Sequence, residues 1–376
     1  MRTSRTLAFV LAIAALVALP ALSAQATIIV GCTGTPTTDG SNLISIYNGA
    51  TAPEVVQPSP CDYDLGTATL NMQTGVDLAG LSRNTTLIRS QNNTAGQGTI
   101  TVPSGADVEI RNLAIETDSV NAVAIDNSSA LLVIEDVNLT ATGEENATAI
   151  FTDARMRGFD VVAVADVDGE EVISAIATGI DDDSDSVFSD TLVIAGGAAC
   201  TEATGIALDA SDATLDEVSI FVACGGDATG IDVSAASLPL IANAKVFATS
   251  SSGDAVGIGS SGTGNVISVR DTLIDADGGD NSYGILKQGS SSSIQLDNVT
   301  AVAQSASSNV IGLQVSAGLA NVNRSTLSGT SAYVVDSGAF GRFGASRLLG
   351  SRGNAGNVVC VVSYNSSYVE IATNCV

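Results

Sequence analysis

SYGILKQGSSSSIQLDNVTAVAQ, residues 282–304, decides the fold, because it is one copy of a phrase that returns along the chain. A small-apolar pair, Gly284-Ile285, leads into a run of serines and then into an alternating stretch that ends in Asp-Asn-Val-Thr. The same pair stands at Ala124-Ile125, Ala149-Ile150, Gly179-Ile180, Gly205-Ile206, Gly230-Ile231, Gly257-Ile258 and Gly312-Leu313. Successive copies are 25, 30, 26, 25, 27, 27 and 28 residues apart. Between them falls a second phrase, as RNLAIET at 111–117, EDVNLTA at 135–141, DEVSIFV at 216–222, NAKVFAT at 243–249, RDTLIDA at 270–276 and DNVTAVA at 297–303. Weaker copies follow at 324–330 and 346–352.

A fixed period of this length means stacked units, none of which buries its own apolar face. The leucine-rich pattern and a six-residue sub-period are missing. A helical period is hard to find after residue 30, and propeller blades or immunoglobulin domains repeat at longer intervals. The period therefore predicts a right-handed parallel β-helix, all-β, with about 25–28 residues per coil. Coils then lie about 4.8 Å apart, and like residues stack on like. Ile, Val, Leu and Ala form inward ladders, while Ser, Thr, Asp and Gly fill turns. In the second phrase, Asn112, Asp136, Glu217, Asn243, Asp271 and Asn298 occupy one column. Asn and Asp tolerate a left-handed turn, and stacked amides can bond along the column. That column reads as structural.

The chain has 376 residues, no histidine, no tryptophan and only 4% aromatic residues. Residues 1–26 read as a secretory signal: Arg2 and Arg5, an apolar run from Leu7 to Ala21, then Ala24-Gln25-Ala26 as a cleavage site. Removing them takes the formal charge of −26 to −28. Such acidity excludes nucleic acid, which needs a basic footprint. No later run is long and apolar enough for a transmembrane helix. The protein is therefore expected to be exported to the cell surface, the medium or the periplasm, and to be monomeric. Six cysteines fit that destination and admit fifteen pairings. Locality favours Cys32–Cys61, Cys200–Cys224 and Cys360–Cys375.

YDLGTATLNMQTGVDLAGLSRNTTLI (63–88), the repeats and the tail VVCVVSYNSSYVEIATNCV (358–376) resemble the pectin-lyase-like superfamily. More narrowly, they resemble secreted bacterial β-helix repeat proteins of unknown function. The resemblance covers most of the mature chain. It implies an N-terminal cap over 27–62, a β-helix over 63–352 and a closing hairpin over 353–376. It specifies function hardly at all. Polygalacturonases of the superfamily use clustered aspartates with a Gly-His-Gly histidine and an Arg-Ile-Lys segment, and neither motif is present. The lyase segment Trp-x-Asp-His has no counterpart either, and the twelve basic residues beyond the signal form no family motif.

Three local features remain. Lys287 stands in GILK where an earlier coil has Val233, and reads as a strand-end lysine facing solvent. DDDSDS at 181–186 offers Asp181, Asp183 and Asp185 at a spacing that could hold calcium, as does DADGGDN at 275–281, but both lack the glycine of an EF-hand. The acids read as a solvated surface, and no cofactor is implied beyond that calcium candidate. The 30-residue interval from 149 to 179 predicts a longer excursion around ARMRGFD, 154–160. No catalytic residue is assigned. The first reading is a non-enzymatic exported β-helix, structural, surface-associated or glycan-contacting. The alternative is a divergent polysaccharide lyase or glycoside hydrolase.

Overall fold

The computed structural model describes residues 25–94, 97–128, 131–167, 176–182, 186–197, 200–354, 356–373 and 375, with side chains of 176–182 and 354 left aside. The expected signal sequence thus lies almost wholly outside the described residues. The chain forms an all-β parallel solenoid of about 11 turns. Every ladder between named strands is parallel, and the pairings sort the strands into three stacks, A, B and C, met in that order within each coil.

The inner ladders explain the repeated phrases. In stack C the isoleucine of the Gly-Ile pair lies in register from Ile100 through Ile125, Ile150, Ile180, Ile206, Ile231, Ile258 and Ile285 to Leu313. In stack B, Ile220, Val246, Ile274 and Ala301 follow one another inward. In stack A, Gly158 stacks under Phe188, and a Cβ at Gly158 would come 2.7 Å from the Phe188 ring. Each fully buried aliphatic side chain contributes about 1.5–3 kcal/mol, so the ladders supply the main driving force.

The residue before each isoleucine also faces inward, which breaks the strict alternation of the strand. Two consecutive inward side chains leave no room for the first to be large. Ideal Cβ atoms at Gly205, Gly230 and Gly257 would lie 2.3, 2.2 and 2.1 Å from Ile220, Val246 and Ile274, and 2.6, 2.5 and 2.5 Å from the next coil's glycine carbonyl. Glycine recurs there because a neighbouring β-branched side chain takes its space.

Between stacks A and B the chain turns on one left-handed residue. Asn112, Asp136, Asp160, Asp190, Glu217, Asn243, Asp271, Asn298, Arg324 and Ala345 all have φ between 49° and 57°. The expected Asn/Asp column is this turn, and it is tied along the axis. Asn243 Nδ2 donates to Asp216 Oδ1 at 2.8 Å, and Asn298 Nδ2 to Asp271 Oδ1 at 2.7 Å. Arg83 clamps two coils at once, with 3.0 Å contacts to Asp136 and Asp160.

Two differences from the sequence reading have plain causes. A helix spans Pro36–Gly49, where no helical period stood out, because Leu43 and Tyr47 are its only fully buried apolar side chains; it packs mainly against the strand Asp62–Asp64. Gly40 lets it touch the carbonyl of Asp64, where a Cβ would sit 2.0 Å away. Within ARMRGFD, 156–160 is ordinary strand, since Arg157, Gly158 and Phe159 pair with Val187–Ser189. Val167 pairs with Gly143 and Ile176 with Asn146, so the longer interval is made up by 168–175, which lie outside the described residues.

All six cysteines are paired, Cys32 with Cys61, Cys200 with Cys224 and Cys360 with Cys375. The central bridge ties adjacent coils, since Gly197 and Cys224 are register partners. Tyr364 pairs antiparallel to Glu370, so the tail folds back beside the last bridge. Among the described residues no helix is long and apolar enough to cross a membrane.

Candidate functional site

Since inward positions are filled by the ladders, chemistry facing a ligand must come from the outward residues. On stack B they form one column along the axis: Asp64, Arg89, Glu116, Thr140, Val164, Ile194, Phe221, Phe247, Asp275 and Val302. Charged groups occupy the N-terminal end and apolar groups the middle.

The middle is a shallow depression of about 340 Å³ lined by Val164, Asp166, Ile194, Gly196, Phe221, Phe247 and Thr249 among others. Phe221 and Phe247 stack at 5.0 Å with planes 6° apart. They lie in parallel because successive coils place them in register. Phe221 is 41% exposed and Ile194 39%, while Phe247 and Val164 are half-buried, so the middle of the stripe faces solvent. Gly196 keeps the strip flat, since a Cβ there would meet the Ala223 carbonyl at 1.9 Å. Outward acids bound the stripe: Asp166 at one end, Asp275 and Asp277 at the other.

The N-terminal end is polar. A cleft of about 460 Å³ is lined by Thr37, Asp64, Arg89, Ser90, Gln91, Glu116 and Asp118. Arg89 lies 3.0 Å from Asp62 and 3.9 Å from Asp64. Burial raises the Asp62 pKa, Arg89 pulls it down and Asp64 pushes it up again. Asp62 Oδ1 and Arg89 Nε are buried without hydrogen-bond partners. Asp64 and Glu116 flank Arg89 two coils apart, about 10 Å along the backbone stack.

Stack C presents a second set of acids. Asp126, 6% exposed, is pushed up to about 6 by burial and then by the charge of Asp153. Asp232 is raised by burial and by the nearby Glu202 and Asp209. Asp126 and Asp232 share one column but stand four coils apart, about 19 Å, too far to flank a single glycosidic bond. The raised Asp126 pKa also bears on stability. Its folded pKa lies above the ordinary carboxylate value, so its protonated form favours folding. Stability is full below about pH 4 and falls as pH rises toward and past 6. Asp126→Asn should raise the unfolding free energy at pH 7 by about 2 kcal/mol and leave it unchanged at pH 4, as read by urea denaturation at both pH values.

Lys287 corrects the sequence reading. It does stand in register with Val233 through Ser260, and for that reason it faces inward and is fully buried. Two residues past the inward Ile285, it has the orientation of Val233 two past Ile231. Its Nζ donates to the carbonyls of Gly289 and Ala317, the latter at 2.9 Å, and to Ser292 Oγ at 2.5 Å. Desolvation lowers its pKa to about 8. It fills a corner of the core and does not reach an outer face.

No group of three or more metal-type ligands stands together among the described residues. Asp183 and Asp185 of the calcium candidate fall outside them, and Asp275, Asp277 and Asp280 form no such group. Sequence reading also missed the two outer-face groupings. The aromatic pair had a signal, because Phe221 and Phe247 occupy the same place in DEVSIFV and NAKVFAT. The Arg89 cluster had none, since Asp62, Asp64 and Arg89 stand on strands that precede the recognisable repeats and meet Glu116 only across coils.

No family model matches this sequence, and no curated protein sequence matches it. Solved structures do. The Dettilon tailspike protein superposes with a TM-score of 0.55 at 11% identity, over 89% of this chain and 68% of that one. The A-module of a mannuronan C-5 epimerase from Azotobacter vinelandii gives 0.54 at 13% identity, over 90% and 98%. These neighbours are pectin-lyase-like β-helix proteins, and at such identities the likeness is one of fold.

Proposed function

We propose that this chain is an exported, glycan-contacting β-helix protein that holds a polysaccharide along the outer face of stack B without cleaving it. The observation that carries the reading is the stacked pair of exposed Phe221 and half-buried Phe247, prolonged by Ile194 and Val164 in one register column. Monomeric surfaces seldom leave a row of large apolar side chains in solvent, and such rows mark ligand grooves. A sugar presents a C–H face that packs on apolar groups and a rim of hydroxyls. Thr249 and the carboxylates of Asp166, Asp275 and Asp277 stand where that rim needs partners. The stripe runs along the solenoid axis and repeats every 4.8 Å or so, on the length scale of a sugar unit in an extended polymer. Three disulfides and the acidic surface fit an extracellular or periplasmic location.

Phe221→Ala combined with Phe247→Ala should weaken polysaccharide binding by at least about tenfold, the equivalent of about 1.4 kcal/mol, with an unchanged far-UV circular dichroism spectrum. The check is affinity electrophoresis of wild type and variant side by side. Equal retardation of both would remove the stripe from the binding face.

A second reading, a divergent lyase or hydrolase, is favoured by one specific feature. Asp64 and Glu116 lie on either side of Arg89 in one register column, two coils apart, near the widest spacing that an inverting pair of carboxylates uses. Unsaturated-product absorbance and reducing-end release on a polysaccharide panel test it directly. Turnover that disappears in Glu116→Gln would establish this reading over the binding one.

A further inference from the structure

We infer that the ligand of stack B is an uncharged polysaccharide and that polyuronates are excluded from it. This rests on the glycan reading above and names the class of polymer. Residues 158–244 contain 17 Asp and Glu and not one Lys or Arg. Those residues supply Val164, Ile194 and Phe221, most of the apolar stripe. On the outer face of stack B, Lys245 is the one cation among the described residues between Arg89 and Arg347. Asp166, Asp275 and Asp277 stand at the ends of the stripe, where an extended polymer would leave it.

A polyuronate brings one carboxylate per sugar. Holding it takes a row of guanidinium or ammonium groups, or divalent cations bridging acid to acid. The row is missing, and no group of metal-type ligands stands among the described residues. The carboxylates of Asp166 at one end and of Asp275 and Asp277 at the other would repel a polyuronate where it enters and leaves the stripe. A neutral polymer meets none of this, and the same carboxylates become acceptors for its hydroxyl donors.

The test is affinity electrophoresis of the full chain in gels carrying hydroxyethyl cellulose, mixed-linkage β-glucan, galactomannan, polygalacturonate or alginate. The expected result is retardation by at least one neutral polymer, held within twofold in about 0.5 M NaCl, and none by either polyuronate. The double variant Asp275→Lys, Asp277→Lys should gain polygalacturonate retardation at low salt and lose it as salt is added. Polyuronate retardation of the wild type equal to or stronger than that by the neutral polymers overturns the inference while leaving glycan contact standing. No retardation by any polymer, with the Phe221→Ala, Phe247→Ala variant indistinguishable from wild type, overturns glycan contact itself.

Discussion

Gly257→Val should prevent or severely weaken folding, with a loss of at least about 3 kcal/mol in unfolding free energy. The position faces inward beside Ile258, with Ile274 on one side and the Gly284 carbonyl on the other. A Cβ would lie 2.1 Å from Ile274 Cγ2 and 2.5 Å from that carbonyl. The side chain can rotate away, but the carbonyl belongs to the ladder that joins adjacent coils. Making room means separating the coils, which costs hydrogen bonds in all three stacks. Gly259→Ala is the control, because its Cβ would meet no backbone closer than 3.8 Å and at 3.3 Å only the end of the Asp232 side chain, which needs to give by a few tenths of an ångström. It should change stability by less than about 0.5 kcal/mol. Guanidinium melts of both variants check the pair, and a Gly257→Val protein as stable as wild type would show that the coils flex more than a packed ladder allows.

The same position explains what was legible in the sequence. The Gly-Ile pair is visible because it obeys a one-dimensional rule: each coil repeats the crowding of the last. Where the neighbouring inner stack carries Ile220, Val246 or Ile274, the pair begins with glycine. The left-handed column was legible for the same reason, and Asp160, Asp190, Arg324 and Ala345 extend it beyond the six residues read from the phrases. Orientation was harder. Lys287 was given to solvent because its chemistry says so, although its register with Val233 says otherwise. Register prevails because strand direction is fixed by some ten stacked neighbours, while a lysine brings only its own hydration. The excursion after residue 149 was seen as a length but placed on the wrong side of the coil, since an interval counts residues without saying which corner holds them. Outer-face groupings such as Asp62, Asp64, Arg89 and Glu116 depend on juxtaposition across coils, with all but Glu116 standing before the repeats begin. A pattern that occurs once has no period to betray it.

Lys287 should make stability rise with pH in a range where most proteins are level or declining. The ammonium is fully buried, and its three acceptors, Gly289 O, Ser292 Oγ and Ala317 O, are all neutral. No charged group contributes to its shift, which comes from desolvation alone and lowers its pKa to about 8. In the unfolded chain the same group titrates near 10.4. Between those values the unfolded state binds the additional proton, so the unfolding free energy increases with pH. From pH 8 to pH 10 the gain is about 2–3 kcal/mol. Above pH 10 the buried tyrosines reverse it. Tyr63, pushed up to about 12 by burial, and Tyr47, raised further by burial, stay protonated in the fold while their unfolded counterparts ionise. Stability should therefore peak near pH 10 and fall beyond it. Lys287→Met tests the assignment, since it keeps the volume and removes the charge. It should lie within about 1 kcal/mol of wild type at pH 7, where the relieved desolvation offsets the lost hydrogen bonds, and its profile should be flat from pH 8 to 10. Lys287→Glu is the harsher variant. It sets a carboxylate against two carbonyls and a hydroxyl that already donates to Gly289 O at 2.6 Å, and should cost more than about 4 kcal/mol at pH 7. A wild-type profile that is level from pH 8 to 10, or a Lys287→Met profile that keeps the rise, would place the titrating group elsewhere. The slope belongs to Lys287 only if removing its charge removes it.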